Sequence, residues 1–563
     1  MSVALDPARP ANLDALKAAG LDFDHAAAVL AAYSTAWDKA RASILARVSD
    51  GGRISSGKLD DLQEEAHALA MLAIYREGIR EMIDFGRRME AKGEVAALEV
   101  AQAHAFIGLA AREIVSAIDL GTAEKVLPED LGLERADLAP FVEGSTGGYV
   151  RVAASTALLA QIARRIHESG SFGANGLDDD MLEMIQDQFR KFVDAEVVPI
   201  AHEIHAKDIL VPIELINTMA EMGVFGLTIP EEFGGSGLGK LAMVLVTEEL
   251  SRGYIGVGSI GTRAEIAAEL ILGGGTDAQK SEWLPRIASG EILPTAVFTE
   301  PSNGSDLANL RSRAEKVDGG WNVFGQKTWI THASRADLMT ILVRSKPDQA
   351  GYKGLSMMLG EKARVEDAKT WTVPGIEAGE LPVIGYRGMK EYELNFDGFF
   401  VPEENLLGGV EGEGFKQLMR TFESARIQTA ARAVGVAQAA LEIGYRYANE
   451  RVQFGKAIFA FPRVFTKVAR TSVLTQAARQ LTFFSARQKD SEKRCDLEAG
   501  MAKLYAGWVA WQAADAALQI HGGNGFSEEF PISRILADAR VLSIFEGAAE
   551  IQAHVIARRL LED

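Results

Sequence analysis

At 563 residues the chain exceeds what one hydrophobic core organises, so two to four domains are expected. A composition of 47% hydrophobic and 24% charged residues is that of a soluble globular protein. No uninterrupted apolar run reaches the ~20 residues needed to span a bilayer, so membrane insertion is not expected. A formal charge of -19 argues against a nucleic-acid partner, whose phosphates need a concentrated basic surface. The single cysteine, Cys495, excludes an internal disulfide framework, and the start lacks the basic stretch and apolar core of a secretory signal; a cytoplasmic setting is expected.

In chain order, the first 175 or so residues read as helix. Leu62 to Arg88 and Glu94 to Ile118 repeat apolar residues at helical spacing between charged ones. The run EGSTGGYV at Glu143 to Val150 reads as a turn or loop, and SGSFGANG at Ser169 to Gly176 as a linker. Helical patterning resumes at Asp179 and runs to about Leu272, broken by a loop at Pro230 to Gly239. From Pro294 to about Val401 the pattern changes to strand-sized runs, namely TAVFT, WNVFG, KTWIT, LMTILVR, LSMML and ELNF, with Asp397-Gly398 as a plausible turn. Long helices return from Gly412, with HGGNG at His521 to Gly525 as the clearest loop between them. The expected class is therefore α+β: a helical extension (1–175), a helical domain (176–293), a β domain (294–411) and a helical C-terminal domain (412–563).

Five separated segments carry a resemblance. They are Phe298-Thr-Glu-Pro-Ser-Asn-Gly-Ser305-Asp, Lys327-Thr-Trp-Ile-Thr331, Glu450-Arg-Val-Gln-Phe-Gly-Lys456, Gln519-Ile-His-Gly-Gly-Asn-Gly-Phe526, and Ile544-Phe-Glu-Gly547 with Glu550-Ile-Gln552. Each alone is weak; their order and spacing from Asp179 to the C-terminus resemble the acyl-CoA dehydrogenase family. The resemblance implies a helical domain, a central β-barrel-like domain and a C-terminal four-helix bundle. It further implies bound FAD, an acyl-CoA substrate, a homo-oligomer (dimer or tetramer), and an electron-transferring flavoprotein as partner.

An α,β-dehydrogenation removes a proton from one carbon and a hydride from its neighbour. The base must be a carboxylate, and an apolar, water-poor setting raises its pKa toward working pH. Glu546 lies in such a run, VLSIFEG, and matches the family's catalytic position; by spacing alone it reads equally well as an acidic residue at a helix N-terminus. Gly547 would admit close approach of the thioester. By resemblance, the main-chain N–H of Glu546 and a ribityl hydroxyl of FAD stabilise the developing charge on the thioester oxygen.

The family match puts Phe298, Thr299, Gly304 and Ser305 along the isoalloxazine or the adjoining substrate edge, with Trp329 and Thr331 approaching the ring. Read without the match, Trp329 is a core aromatic and Ser305 a turn cap. Arg451, Gln453 and Phe454 match the segment reaching the FAD pyrophosphate and adenosine across a subunit interface, where a guanidinium suits phosphate. Gln519, Gly522 and Gly523 match the loop completing that site, though a Gly-Gly pair is also an ordinary helix cap. Ala548 and Glu550 follow the base toward the cofactor. His521 reads as structural.

Glu423 and Arg426 resemble CoA-contacting positions and otherwise read as a helix-surface pair. Three departures stand out: Ala548 where threonine is common, His332 where asparagine is frequent, and Pro462 where glutamine commonly follows Phe. Arg263 falls near the expected floor of the acyl pocket. A buried guanidinium needs an anion, so it implies a second substrate carboxylate, or else Glu265 or another nearby acid. With the helical extension this favours a dicarboxylic acyl-CoA. Short, branched or long monoacyl-CoA esters, and an oxidase using oxygen, remain open.

Overall fold

The structure, a computed structural model, describes residues 5–121, 123–366, 370–491 and 493–562. The helices that build the site and its supports are α1 (Phe23–Val48), α2 (Gln63–Ala91), α3 (Ala97–Ser116), α4 (Gly144–Ala153), α5 (Thr156–Ser169), α6 (Lys240–Gly253), α7 (Ile255–Gly274), α8 (Gly414–Glu450), α9 (Pro462–Asp490), α10 (Asp496–His521), α11 (Pro531–Val541) and α12 (Ala549–Glu562). The strands are β1 (Ser49–Asp50), β2 (Arg53–Ile54), β3 (Ile118–Gly121), β4 (Glu124–Val126), β5 (Pro294–Val297), β6 (Arg313–Val317), β7 (Gly320–Thr331), β8 (Leu338–Arg344), β9 (Leu355–Glu361), β10 (Ile376–Leu381), β11 (Glu391–Pro402), β12 (Val452–Gln453) and β13 (Lys456–Ala457). Two compact units result: Met1–Glu183 with Val436–Gln488 and Cys495–Asp563, and Met184–Gly435 with Lys489–Arg494.

In the first unit the N-terminal helices and the C-terminal helices share one core. Helix α2 is buried on most of its faces, including its polar His67, Glu77 and Glu81, and it packs on α1, α3, α10 and α12. Close approach is built in with glycines. A Cβ at Gly86 would lie 2.2 Å from the Phe23 ring, and one at Gly108 would lie 2.6 Å from the backbone of Ala153. Polar ties cross the same interface: Arg41 donates to the Leu560 carbonyl at 2.5 Å and Arg487 pairs with Glu81 at 2.6 Å. The expected linker is irregular but fastened, since Gln476 and Gln480 of α9 donate to the Ala174 and Asn175 carbonyls at 3.1 and 2.9 Å.

Two expectations need correction here. The glycine-rich run at Glu143–Val150 lies mostly in helix α4, not in a loop. Gly147 sits so close to the Val142 backbone (2.3 Å from a built Cβ) that only glycine fits, and Tyr149 is buried with its hydroxyl 2.7 Å from His104 Nδ1. Packing thus overrides a poor helix propensity. The N-terminal region is not purely helical, because β1 pairs with β2 and β3 with β4 as small antiparallel hairpins. One stretch, Glu94–Ser116, is long and apolar enough to cross a membrane by length and composition; 83% of its window is buried inside the protein, as a core helix is.

The second unit holds a curled seven-stranded sheet of order β10-β11-β7-β6-β8-β5, with β9 paired to β8. Strand β5 runs parallel to β8, and the hairpins are antiparallel. Phe399 of β11 comes within 2.8 Å of a Cβ built on Gly360 of β9, so the sheet bends round on itself. Val323, Ile330, Ile341, Met358, Tyr392 and Leu394 are among its core residues. WNVFG and KTWIT, expected as two strands, form the single strand β7. Gly325, the last residue of the first run, has φ 124°, and a side chain there would strike Ser312. Asp397-Gly398 is a bulge inside β11 rather than a turn: the register shifts between Asp397 and Phe399, and Gly398 takes φ 79°.

Candidate functional site

In the sheet unit, the segment Phe298–Ser305 leaves β5 and lies against the end of β7. Lys327, with no solvent exposure, is the anchor. Its ammonium donates to the carbonyls of Phe298 (2.9 Å) and Leu342 (2.8 Å) and to Glu300 (3.1 Å). Burial lowers the Lys327 pKa to about 8 against the opposing pull of Glu300. Burial pushes Glu300 upward, but Lys327 and the N–H groups of Arg311 (2.7 Å) and Ser312 (2.8 Å) hold it below the usual carboxylate range. Thr328 donates its N–H to the Thr299 carbonyl at 3.0 Å. Phe298 and Thr299 are therefore brought beside Trp329 and Thr331, while Gly304 and Ser305 lie exposed on the loop.

Trp329 is not the core aromatic its sequence context suggests. It is 57% exposed and has φ 58°, a conformation that costs a bulky residue about 1–3 kcal/mol and persists where surroundings enforce it. The next residues explain the enforcement. Thr331 donates to Glu391 at 3.1 Å, and its own carbonyl accepts from the Thr295 hydroxyl at 2.6 Å. His332, also at positive φ (65°), is buried, and burial together with Arg335, Arg364, Lys362 and Arg263 lowers its pKa to about 3.

Arg263 is buried on α7. Glu265, two residues on, uses one carboxylate oxygen for Lys240 and the other for Thr228. Glu423, on α8, is half-buried and accepts from Lys489 at 2.9 Å, and the Arg426 guanidinium stands 6.0 Å from the Phe422 ring.

In the other unit, β12 and β13 form a hairpin whose tip, Phe454 (φ 52°) and Gly455 (φ 78°), has the two left-handed residues of a tight hairpin turn. Arg451, Gln453 and Phe454 are all exposed, Phe454 by 92%. The loop after α10 stands beside this hairpin through Tyr447. Arg451 donates its N–H to the Tyr447 carbonyl (2.9 Å), the Tyr447 ring stacks on His521 (4.1 Å between centroids), and Asn524 donates to the Tyr447 hydroxyl (3.0 Å). Gln519 is exposed in the last turn of α10 and Gly522 and Gly523 are exposed on that loop, where side chains built on either glycine would meet nothing. His521 is buried, in keeping with a structural role.

Glu546 sits in the turn between α11 and α12, half-buried, with φ 51°. Gly547 follows at φ 100°, and a Cβ there would fall 1.9 Å from the Gln552 amide nitrogen. Ala549 donates to the Ser543 carbonyl at 3.0 Å, closing the turn, and Lys503 donates to the Gly547 carbonyl. Ala548 lies at the turn's end, and Glu550 is exposed on the first turn of α12. Lys327, Glu300, Glu391, Lys503 and Gln552 had no assigned role in the sequence reading. Only the lysine inside an otherwise strand-like run gave a hint.

The chain matches three family models: the acyl-CoA dehydrogenase N-terminal domain over residues 179–291, the middle domain over 295–399 and the C-terminal domain over 412–561. It belongs to the acyl-CoA dehydrogenase family, a family of flavoproteins, and is an oxidoreductase. Among named relatives, the (2S)-methylsuccinyl-CoA dehydrogenase of Cereibacter sphaeroides is 56% identical over 533 residues, covering 93% of this chain and 96% of that one. An alignment of that length takes in most of the helical extension. Two solved structures are similar over about two thirds of the chain: a glutaryl-CoA dehydrogenase in complex with glutaryl-CoA (35% identity, TM-score 0.63, 67% of this chain and 94% of that one) and the butyryl-CoA dehydrogenase of Megasphaera elsdenii (32%, TM-score 0.64, 68% and 98%).

Proposed function

We propose that this chain oxidises (2S)-methylsuccinyl-CoA to the α,β-unsaturated thioester mesaconyl-CoA, with FAD as cofactor and Glu546 as the base. The observation that carries the chemistry is the Glu546 turn. A carboxylate in a left-handed backbone position, fastened on both sides, is a preorganised group rather than a solvated surface acid. Similarity through the extension to a methylsuccinyl-CoA dehydrogenase supports the substrate.

The residues present fit a flavin. An indole held outward by strained backbone offers a face to a planar ring, and the Lys327-anchored Phe298–Thr299 segment supplies main-chain groups beside it. Arg451, exposed beside Gly522 and Gly523, suits a pyrophosphate. When bound, FAD supplies the hydride acceptor. Glu546 takes the α proton, and its own N–H stabilises the negative charge developing on the thioester oxygen. Arg263 holds the second carboxylate of the substrate. Glu423 and Arg426 face CoA, and electrons leave to an electron-transferring flavoprotein. The four-part division at residues 175, 293 and 411 and a homo-oligomeric state belong to the same reading.

The test is anaerobic absorbance of the purified protein with (2S)-methylsuccinyl-CoA and, in parallel, butyryl-CoA. Rapid bleaching of a flavin spectrum by methylsuccinyl-CoA alone is expected. Bleaching by butyryl-CoA alone removes the substrate assignment, and a protein that binds no FAD on reconstitution removes the function.

A further inference from the structure

Helix α10 turns one face toward the segment that carries Glu546. Gly500, Lys503 and Gly507, spaced three and four residues apart, lie on that face. A Cβ on Gly507 would lie 3.1 Å from the Leu542 carbonyl, just before the turn. One on Gly500 would lie 3.2 Å from Ile556 and 3.4 Å from the Gln552 amide oxygen, just after it. The two glycines let α10 approach the turn closely at both ends. Between them stands Lys503, 1% exposed, whose ammonium donates to the Gly547 carbonyl.

Burying an ammonium is expensive unless specific acceptors repay its lost hydration, and a methionine or leucine would fill such a site without that cost. The carbonyl of the residue after Glu546 accepts from it here. The hydrogen bond from Ala549 to Ser543 closes the turn across its base, while Lys503 fixes the peptide leaving Gly547. Glu546, at φ 51°, lies between these ties. The Gln552 amide, which also lies beside Gly500, packs against Gly547.

We propose that Lys503 is a positioning residue for the reaction: through the Gly547 carbonyl it holds the turn so that the Glu546 carboxylate and main-chain N–H stay aimed at the substrate. This rests on the reading of Glu546 as the base. Displacement of a catalytic group by ~1 Å costs on the order of 100-fold in rate, so the lysine's contribution falls on the chemical step and not on substrate affinity.

The test uses the flavin-loaded protein and three variants: Lys503→Met, which matches the stem as far as Cε but has no donor; Lys503→Gln, whose donor is one atom short; and Lys503→Arg, which keeps the cation. Anaerobic stopped-flow bleaching with (2S)-methylsuccinyl-CoA, or with butyryl-CoA if that is the ester that bleaches, gives the limiting rate and the Kd separately. In Lys503→Met the limiting rate should fall at least about tenfold per bound flavin, with Kd within about twofold of the parent, and Arg or Gln should restore part of it. A folded Lys503→Met with the parent limiting rate overturns the proposal. So does a change confined to Kd, or a loss that only tracks missing flavin. If Lys503→Met does not fold, Lys503→Gln decides: a lowered limiting rate at unchanged Kd supports the proposal and a parent rate overturns it. Glu546→Gln is measured alongside. If that variant is inert while the Lys503 variants are unimpaired, the lysine's role alone falls. If Glu546→Gln bleaches at the parent rate, the base assignment falls and the proposal with it.

Discussion

Replacing Gly547 with alanine puts a methyl group where the Gln552 amide now lies, 1.9 Å from its nitrogen and 2.9 Å from its carbonyl carbon. Gln552 is 1% exposed, so its side chain has no free space to enter. Overpacking of this kind costs about 1–3 kcal/mol. The backbone adds a second cost, because φ 100° lies outside the regions an L-residue adopts without about 1–3 kcal/mol of strain. Either the turn holds and the fold bears both terms, or it relaxes and Glu546 moves. The second outcome converts stability into rate, at on the order of 100-fold for a displacement of ~1 Å. Thermal unfolding followed by circular dichroism reads the first channel, and anaerobic flavin bleaching at saturating acyl-CoA reads the second. Adding Gln552→Ala to Gly547→Ala removes the clash but not the backbone strain. It should recover part of the thermal loss and little of the rate. A Gly547→Ala protein with the parent unfolding midpoint and the parent bleaching rate would refute the claim that this turn is rigid and rate-determining.

Lys327→Met should cost about 3–5 kcal/mol, the usual result of breaking a buried ion pair, and should release FAD more readily than the parent in a dilution assay. The same lysine gives a pH signature. Burial holds its folded pKa at about 8, below the ordinary lysine value of 10.5, so the unfolded chain binds more protons between those limits. Stability measured by denaturant titration should therefore rise from pH 8 toward pH 10.5, and Lys327→Met should flatten that rise. Arg263→Gln should raise the KM for methylsuccinyl-CoA about 10- to 100-fold, the worth of one charge-assisted hydrogen bond, while leaving butyryl-CoA kinetics unchanged; equal effects on both esters would exclude carboxylate recognition. Gly108→Val drives a side chain into the Ala153 backbone and should lower the unfolding midpoint by overpacking without changing the bleaching rate per bound flavin.

The alternation of helix and strand was legible because its periods are long and unambiguous, and the family motifs lay in order along the chain. Less legible was anything decided by close packing. Glu143–Val150 has the composition of a loop, yet it forms a helix because the Val142 backbone and His104 leave room for a glycine-rich helix with one buried tyrosine. The strand break expected after WNVFG failed for a similar reason: Gly325 lets β7 kink over Ser312 and continue. Local pattern carries no information about the element that will lie alongside.

The same limit explains why the motif residues could be named while their supports could not. Trp329, His332, Phe454 and Glu546 all take left-handed backbone conformations, and all fall in or directly beside the five motif segments. Tryptophan, phenylalanine and glutamate are poor candidates for that conformation, so the sequence does not announce it. It arises because Lys327, Glu391 and Thr295 fix one segment, while Lys503 and Ser543 fix another. Two of these anchors are lysines with almost no exposure, which composition counts as surface charge. Lys327 donates to the Phe298 and Leu342 carbonyls and to Glu300, and Lys503 donates to the Gly547 carbonyl. The motifs thus mark the surfaces expected to face ligand, and the buried lysines behind them hold those surfaces in conformations that the motif residues would not adopt unaided.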